Sequence, residues 1–293
     1  MERLPAVKPF GQVIKGAVRR FNAHDMSTYA YALAFQAFFS VFPFLIFLIA
    51  LLGFIGVPQF FNWLKEQVTL LVPQQAVDPI ITVIEQIQSP NAGLLSMGMA
   101  VALWGASGGI RAVMTAINVA YGVTERRPAW LRIPLSLIYT VALAALLIMA
   151  AMLFSIGPGA MEWIASLVGL GSGLVTLWTW LRWPLGLVLL SLAVTLVYYA
   201  APNRRQRLRG VMPGAMLSVV VWIIASLGFD FYLSNFANYS AVYGSIGAII
   251  GVLLYFSISA SVLLFGAEVN AVMEQGTQQQ AHDLGTAQKT GTG

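Results

Sequence analysis

Fourteen of the sixteen Lys and Arg residues fall into four groups, with long uncharged apolar runs between them. The groups run from Arg3 to Arg20, Arg111 to Arg132 and Arg204 to Arg209, with Lys289 alone in the C-terminal tail; only Lys65 and Arg182 lie elsewhere. A cation is costly in hydrocarbon, and cytoplasmic turns carry an excess of Lys and Arg. The grouping therefore predicts an all-α protein that crosses a membrane several times and presents its basic turns to the cytoplasm. Composition agrees, since 58% of the chain is hydrophobic and 9% is charged, against about 25% charged in a soluble domain.

A crossing helix needs about 20 apolar residues. Six spans satisfy this: Tyr29–Val57, Gly93–Ile110, Ile133–Ile156, Trp183–Ala201, Val211–Leu233 and Ser245–Phe265. The stretch Trp163–Leu181 is also uncharged. Six spans with both termini cytoplasmic put 14 basic residues inside and 2 outside, whereas a seventh would give 10 against 6. The sequence thus favours six, with residues 58–92 and 157–182 as external segments and Trp163–Leu181 partly embedded. Residues 1–28 hold an amphipathic helix: Phe10, Val13, Ile14, Ala17, Val18 and Phe21 share one face, with Gln12, Lys15, Arg19 and Arg20 on the other. A second amphipathic pattern places Ile80, Val83, Ile84 and Ile87 together, with Asp78, Glu85 and Gln88 turned away. Residues 276–293, rich in Gln, Thr and Gly, are expected to be disordered. The first apolar run is too long for a signal peptide, so the N-terminus is expected to be retained.

Polar groups within apolar spans are the candidates for function, because burying them is expensive. Arg111, Thr115, Asn118 and Glu125 have the spacing of one stripe on a helix continuing from the second span. Ser257, Ser261 and Glu268, with Asn270 close behind, form another on the sixth. Gln36 and Ser40 share a face ahead of Pro43, and Ser226 and Asp230 do so near the outer end of the fifth span. We expect the stripes of Arg111, Asn118 and Glu268 to converge on a polar cavity open to the cytoplasm; the alternative makes Arg111 and Glu268 snorkelling groups or a structural ion pair. The pairs Gly105–Gly109 and Gly247–Gly251 have the spacing of close helix packing. His24 and His282 are too isolated for a metal site. Asp25 fits a helix N-cap.

Four segments together resemble the bacterial YihY/BrkB membrane-protein family. They are residues 34–43 (AFQAFFSVFP), 104–111 (WGASGGIR) with Asn118 to Tyr121, 199–205 (YAAPNRR) with Pro213 to Ala215, and 243–248 (YGSIGA) with Gly266 to Asn270. The resemblance implies a six-helix inner-membrane protein, a virulence association in the family name, and for some members an earlier ribonuclease BN label. It emphasises Arg111, Asn118, Asn203, Arg204, Glu268 and Asn270. The cytoplasmic acids are scattered singly, unlike the clustered ligands of a metal-dependent nuclease. We therefore expect no enzyme activity, metal, cofactor or nucleic-acid partner. The expected function is transport of a lipid or other amphipathic anion, with a membrane scaffold or envelope assembly factor as the alternative. Membrane lipids are the expected partners, and self-association is left open.

Overall fold

The computed structural model describes residues 9–55, 61–62, 65–66, 68–69, 77–78, 81–82, 84–85, 92–155, 161, 172–204, 206–236 and 239–290. Among them are the helices α1 (Phe10–Ala23), α2 (Met26–Ile55), α3 (Ala92–Ala120), α4 (Ala129–Ser155), α5 (Ser172–Ala200), α6 (Leu208–Phe236) and α7 (Tyr239–Thr290). The last six each contain a stretch long and apolar enough to cross a membrane. Their exposed positions carry apolar side chains, for example Ile138, Ile148, Val188, Ile224 and Leu227. That inside-out pattern suits hydrocarbon as the solvent.

The chain divides into two compact units, one of residues 1–34 with 110–293 and the other of residues 35–109. In the second unit α2 and α3 meet through small residues. A Cβ on Gly98 would lie 3.4 Å from the Phe47 backbone, and one on Gly105 or Gly109 would lie 3.7 Å from Ser40 Oγ or Gln36 Cγ. The packing role expected of Gly105 and Gly109 is thus visible. Gly251 differs, with open space where its Cβ would be. α2 runs on through Pro43. Of the external amphipathic pattern, Ile84 is buried while Asp78 and Glu85 are exposed; Ile80, Val83, Ile87 and Gln88 lie outside the described residues.

The first unit has its core at one end. Met26, Met114, Ile117, Tyr198, Leu264 and Ala267 are fully buried there, beside Tyr121, Ala201 and Val211. Two glycines set how closely α6 and α7 approach. A Cβ on Gly266 would stand 2.5 Å from the Tyr198 hydroxyl and 2.8 Å from the Gly214 carbonyl, and one on Gly214 would stand 2.5 Å from the Gly266 carbonyl. Asn270 reinforces the contact: its Nδ2 donates to Val211 O at 2.9 Å and its Oδ1 accepts from Gly214 N at 2.8 Å.

Four expectations need correction. The seventh apolar stretch is not an external segment over residues 172–182, because α5 begins at Ser172 and passes through Pro184. Gly173 falls in the first turn, where glycine disturbs the helix least, and the Arg182 guanidinium lies 5.6 Å from the Trp183 ring centroid, so its charge does not end the helix. Residues 276–290 are not disordered but continue α7. The segment holds four Gln residues, which are good helix formers, and it extends an existing helix without a nucleation cost. Third, α3 does not reach Glu125. It ends with Gly122 at φ +64, Gly122 N bonding Val119 O and Val123 N bonding Asn118 O, a C-terminal motif that needs a left-handed residue. Finally, Arg20 does not belong to the outer face of α1.

Candidate functional site

Arg20 sits where α1 crosses α7. Val13 and Ala17 bury against Val269 and Val272, and one turn later the Arg20 guanidinium reaches three groups. Its Nε donates to Glu268 Oε2 at 2.9 Å, its Nη1 to Gln275 Oε1 at 2.7 Å, and its Nη2 to the Ala120 carbonyl at 2.6 Å. The last bond satisfies an orphan carbonyl at the C-terminus of α3, where a cation is also favoured by the helix dipole. His24, one turn beyond Arg20, places Nδ1 2.5 Å from Glu268 Oε1. An ionised carboxylate only accepts, so Nδ1 carries the proton. Glu268 is 0% exposed and has a cation or donor on each oxygen. Its ion-pair partner is Arg20 and not the Arg111 of the alternative reading.

A second network ties the turn after α3 to the turn after α5. Asn118 Nδ2 donates to Glu125 Oε2 at 2.9 Å, and its Oδ1 accepts the Asn203 amide at 2.8 Å. Arg127 grips Glu125 with Nε at 2.8 Å and Nη2 at 2.8 Å, and Nη2 also donates to Ala201 O at 2.7 Å. This doubly hydrogen-bonded guanidinium holds the Glu125 carboxyl down at about 2. Asn203 Nδ2 donates to Thr124 O at 3.3 Å. Arg204 pairs with Glu274 and lies 5.1 Å from the Tyr121 ring centroid. Burial pushes the Tyr121 hydroxyl up to about 12.

These contacts bring α1, the α3–α4 turn, the α5–α6 turn and α7 to one end of the unit. The described members of the three large basic groups therefore share a side. Between the turns lies a groove of about 740 Å³. Arg127, Asn203, Arg204 and Gln206 supply its polar lining, while Tyr139, Leu196, Tyr199, Ala200 and Pro202 supply the rest. The Gln206 amide is buried beside Tyr121 without completing a hydrogen bond to it.

Asn203 and Arg204 thus line the groove, and Asn118 stands behind it through its bond to Asn203. Arg111 donates to Ser136 Oγ at 3.2 Å, and its carbonyl receives Arg132 Nη2 at 2.8 Å. Asn270 is in the helix contact described above. Ser261 donates to the Ser257 carbonyl at 2.8 Å, within α7 itself. Ser226 pairs with Tyr255 at 3.2 Å, while Asp230 is exposed. Gln36, in the other unit, donates to Gly105 O at 3.3 Å. The expected convergence of Arg111, Asn118 and Glu268 does not line this groove, because Asn118 and Glu268 are buried among their own partners. Sequence reasoning missed Arg20, His24 and Arg127; the four-residue spacing of Arg20 and His24 was the available signal.

Among the described residues no group of three His, Cys, Asp or Glu side chains is close enough to hold a metal ion. A profile of the family described as Virulence factor BrkB matches residues 17–290. The chain belongs to the BrkB family. A BrkB relative from Bacillus subtilis, named ribonuclease-like protein YfkH, is 33% identical over 267 residues, covering 89% of this chain and 95% of the relative. A UPF0761 membrane protein of Ralstonia nicotianae is 27% identical over 263 residues, covering 88% of this chain and 57% of its own length. A UPF0761 membrane protein of Xanthomonas campestris is 38% identical over 80 residues, covering 27% of this chain and 19% of its own. No solved structure matches. With six spanning helices and membrane-protein relatives, this BrkB-family chain is a multi-pass inner-membrane protein.

Proposed function

We propose that the protein is a non-enzymatic transporter or translocator of an amphipathic anion, received in the groove at its basic end, with that end facing the cytoplasm. The groove carries the argument: two guanidinium groups and the Asn203 amide face tyrosine and leucine within one opening. Such a lining matches a ligand with a negative group at one end and an apolar body. The α3–α4 and α5–α6 turns, with the first turns of α4 and α6, hold six described arginines, Arg126, Arg127, Arg132, Arg204, Arg207 and Arg209, against Glu125. They leave a cationic surplus at the mouth after the ion pairs with Glu125 and Glu274 are formed. The ribonuclease-like name of the Bacillus relative finds no support in these acids, since Glu125, Glu268 and Glu274 are each committed to an arginine.

The test is reconstitution. Proteoliposomes of the wild-type protein should move fluorescent anionic lipid or small organic anions, and Arg204→Gln should slow that movement about tenfold. Wild-type vesicles that move neither would overturn transport. One observation favours a scaffold as the second reading: α7 continues past its apolar span for roughly 20 Å at 1.5 Å per residue, a rod that could carry a partner. Stoichiometric cross-linking of one partner to residues 277–290, with no flux, would select it.

A further inference from the structure

The groove does not end at its polar mouth. A narrow apolar cleft adjoins it, formed by Ile110 and Val113 of α3, Leu143 of α4 and Val197 of α5. Tyr139, Leu196 and Ala200 line both spaces, so the two lie side by side. From Ala200 the cleft runs along α4 and α5 toward Leu143, away from the arginine turns and into the part of the helices whose outward side chains are apolar. Open space in it is about 10 Å³, close to one small probe sphere, so a chain would lie along it rather than sink into it.

From this adjacency we infer that the groove's ligand is a membrane lipid with an anionic headgroup. The headgroup sits among Arg127, Asn203 and Arg204, and one acyl chain lies in the α3–α4–α5 cleft. The inference rests on the reading of the groove as a site for an amphipathic anion and names its ligand class. Three observations carry it. The mouth has the guanidinium groups of Arg127 and Arg204, which suit phosphate oxygens. The cleft offers only apolar side chains, which a soluble anion leaves unused. A lipid already in the bilayer reaches both parts without leaving it.

Purified wild-type protein in nanodiscs tests this with phosphatidylglycerol bearing a diazirine midway along one chain. Cross-links are expected to concentrate on residues 139–143 and 196–197, and phosphatidylglycerol to be retained about tenfold over phosphatidylcholine. Arg204→Gln is expected to weaken that preference, whereas Leu143→Trp, which fills the cleft, is expected to reduce labelling and keep the preference. If Leu143→Trp fails to fold, the wild-type cross-link map and competition by glycerol 3-phosphate still decide. Competition by glycerol 3-phosphate equal to that of the lipid, with labels spread evenly over exposed apolar residues, overturns the lipid assignment and leaves an anion site. Absence of binding by both probes overturns the lipid assignment and the groove reading together.

Discussion

Replacing Arg20 by Ala probes the contact that joins the N-terminal helix to the rest of its unit. The change removes three hydrogen bonds, to Glu268, Gln275 and the Ala120 carbonyl. It also leaves a fully buried carboxylate with His24 as its remaining partner. Removing one partner of a buried ion pair costs about 3–5 kcal/mol. Arg20 keeps 22% of its side chain exposed, and His24 continues to donate to Glu268, so a loss of about 2–4 kcal/mol is expected. The assay is equilibrium unfolding in mixed micelles against the mole fraction of a denaturing detergent, followed by tryptophan fluorescence. A second readout is tryptic cleavage at the exposed Lys15 and Arg19, which should accelerate as α1 leaves α7. The double change Arg20→Met with Glu268→Met should be less destabilised than Arg20→Met alone, because no unpaired charge remains buried. A stability within about 0.5 kcal/mol of wild type for Arg20→Ala, with unchanged cleavage, would refute the claim that Arg20 compensates Glu268.

Gly214→Ala and Gly266→Ala should each destabilise by about 1–3 kcal/mol or more by forcing α6 from α7, measured by the same unfolding titration; Gly228→Ala, which meets open space, should be neutral or stabilising by up to about 1 kcal/mol. Gly122→Ala should cost about 1–2 kcal/mol, because φ +64 puts an alanine in the left-handed region. The Glu125–Arg127 pair should be lost in acid: Glu125 is lowered from 4.5 to about 2, so its contribution is complete above 4.5 and disappears as pH falls through about 2. Its partly open position limits that contribution to about 1 kcal/mol, and Glu125→Gln should remove this acid dependence. Reporter fusions at residues 203–209 and after residue 290 should both report the cytoplasm; opposite sides, or the periplasm for both, would reverse the proposed orientation.

The six crossings and the gathering of the basic turns at one end were readable from order and composition. The cost of a charge in hydrocarbon acts on each segment separately, so Arg111 to Arg132 and Arg204 to Arg209 announce turns without reference to anything distant. Segment edges were less legible. The uncharged stretch Trp163–Leu181 and the polar tail after Gly276 read as non-spanning segments, yet α5 takes in residues 172–181 and α7 continues to Thr290, because helices propagate from neighbouring turns. Helical spacing also placed Asn118 and Glu268 on polar stripes, but a stripe names a face and not what covers it. Tertiary packing alone decided that Glu268 meets Arg20, 248 positions away, that Asn118 braces Asn203, and that Arg204 opens onto a groove. Those pairings depend on which helices touch and how closely, and no local pattern in the chain encodes it.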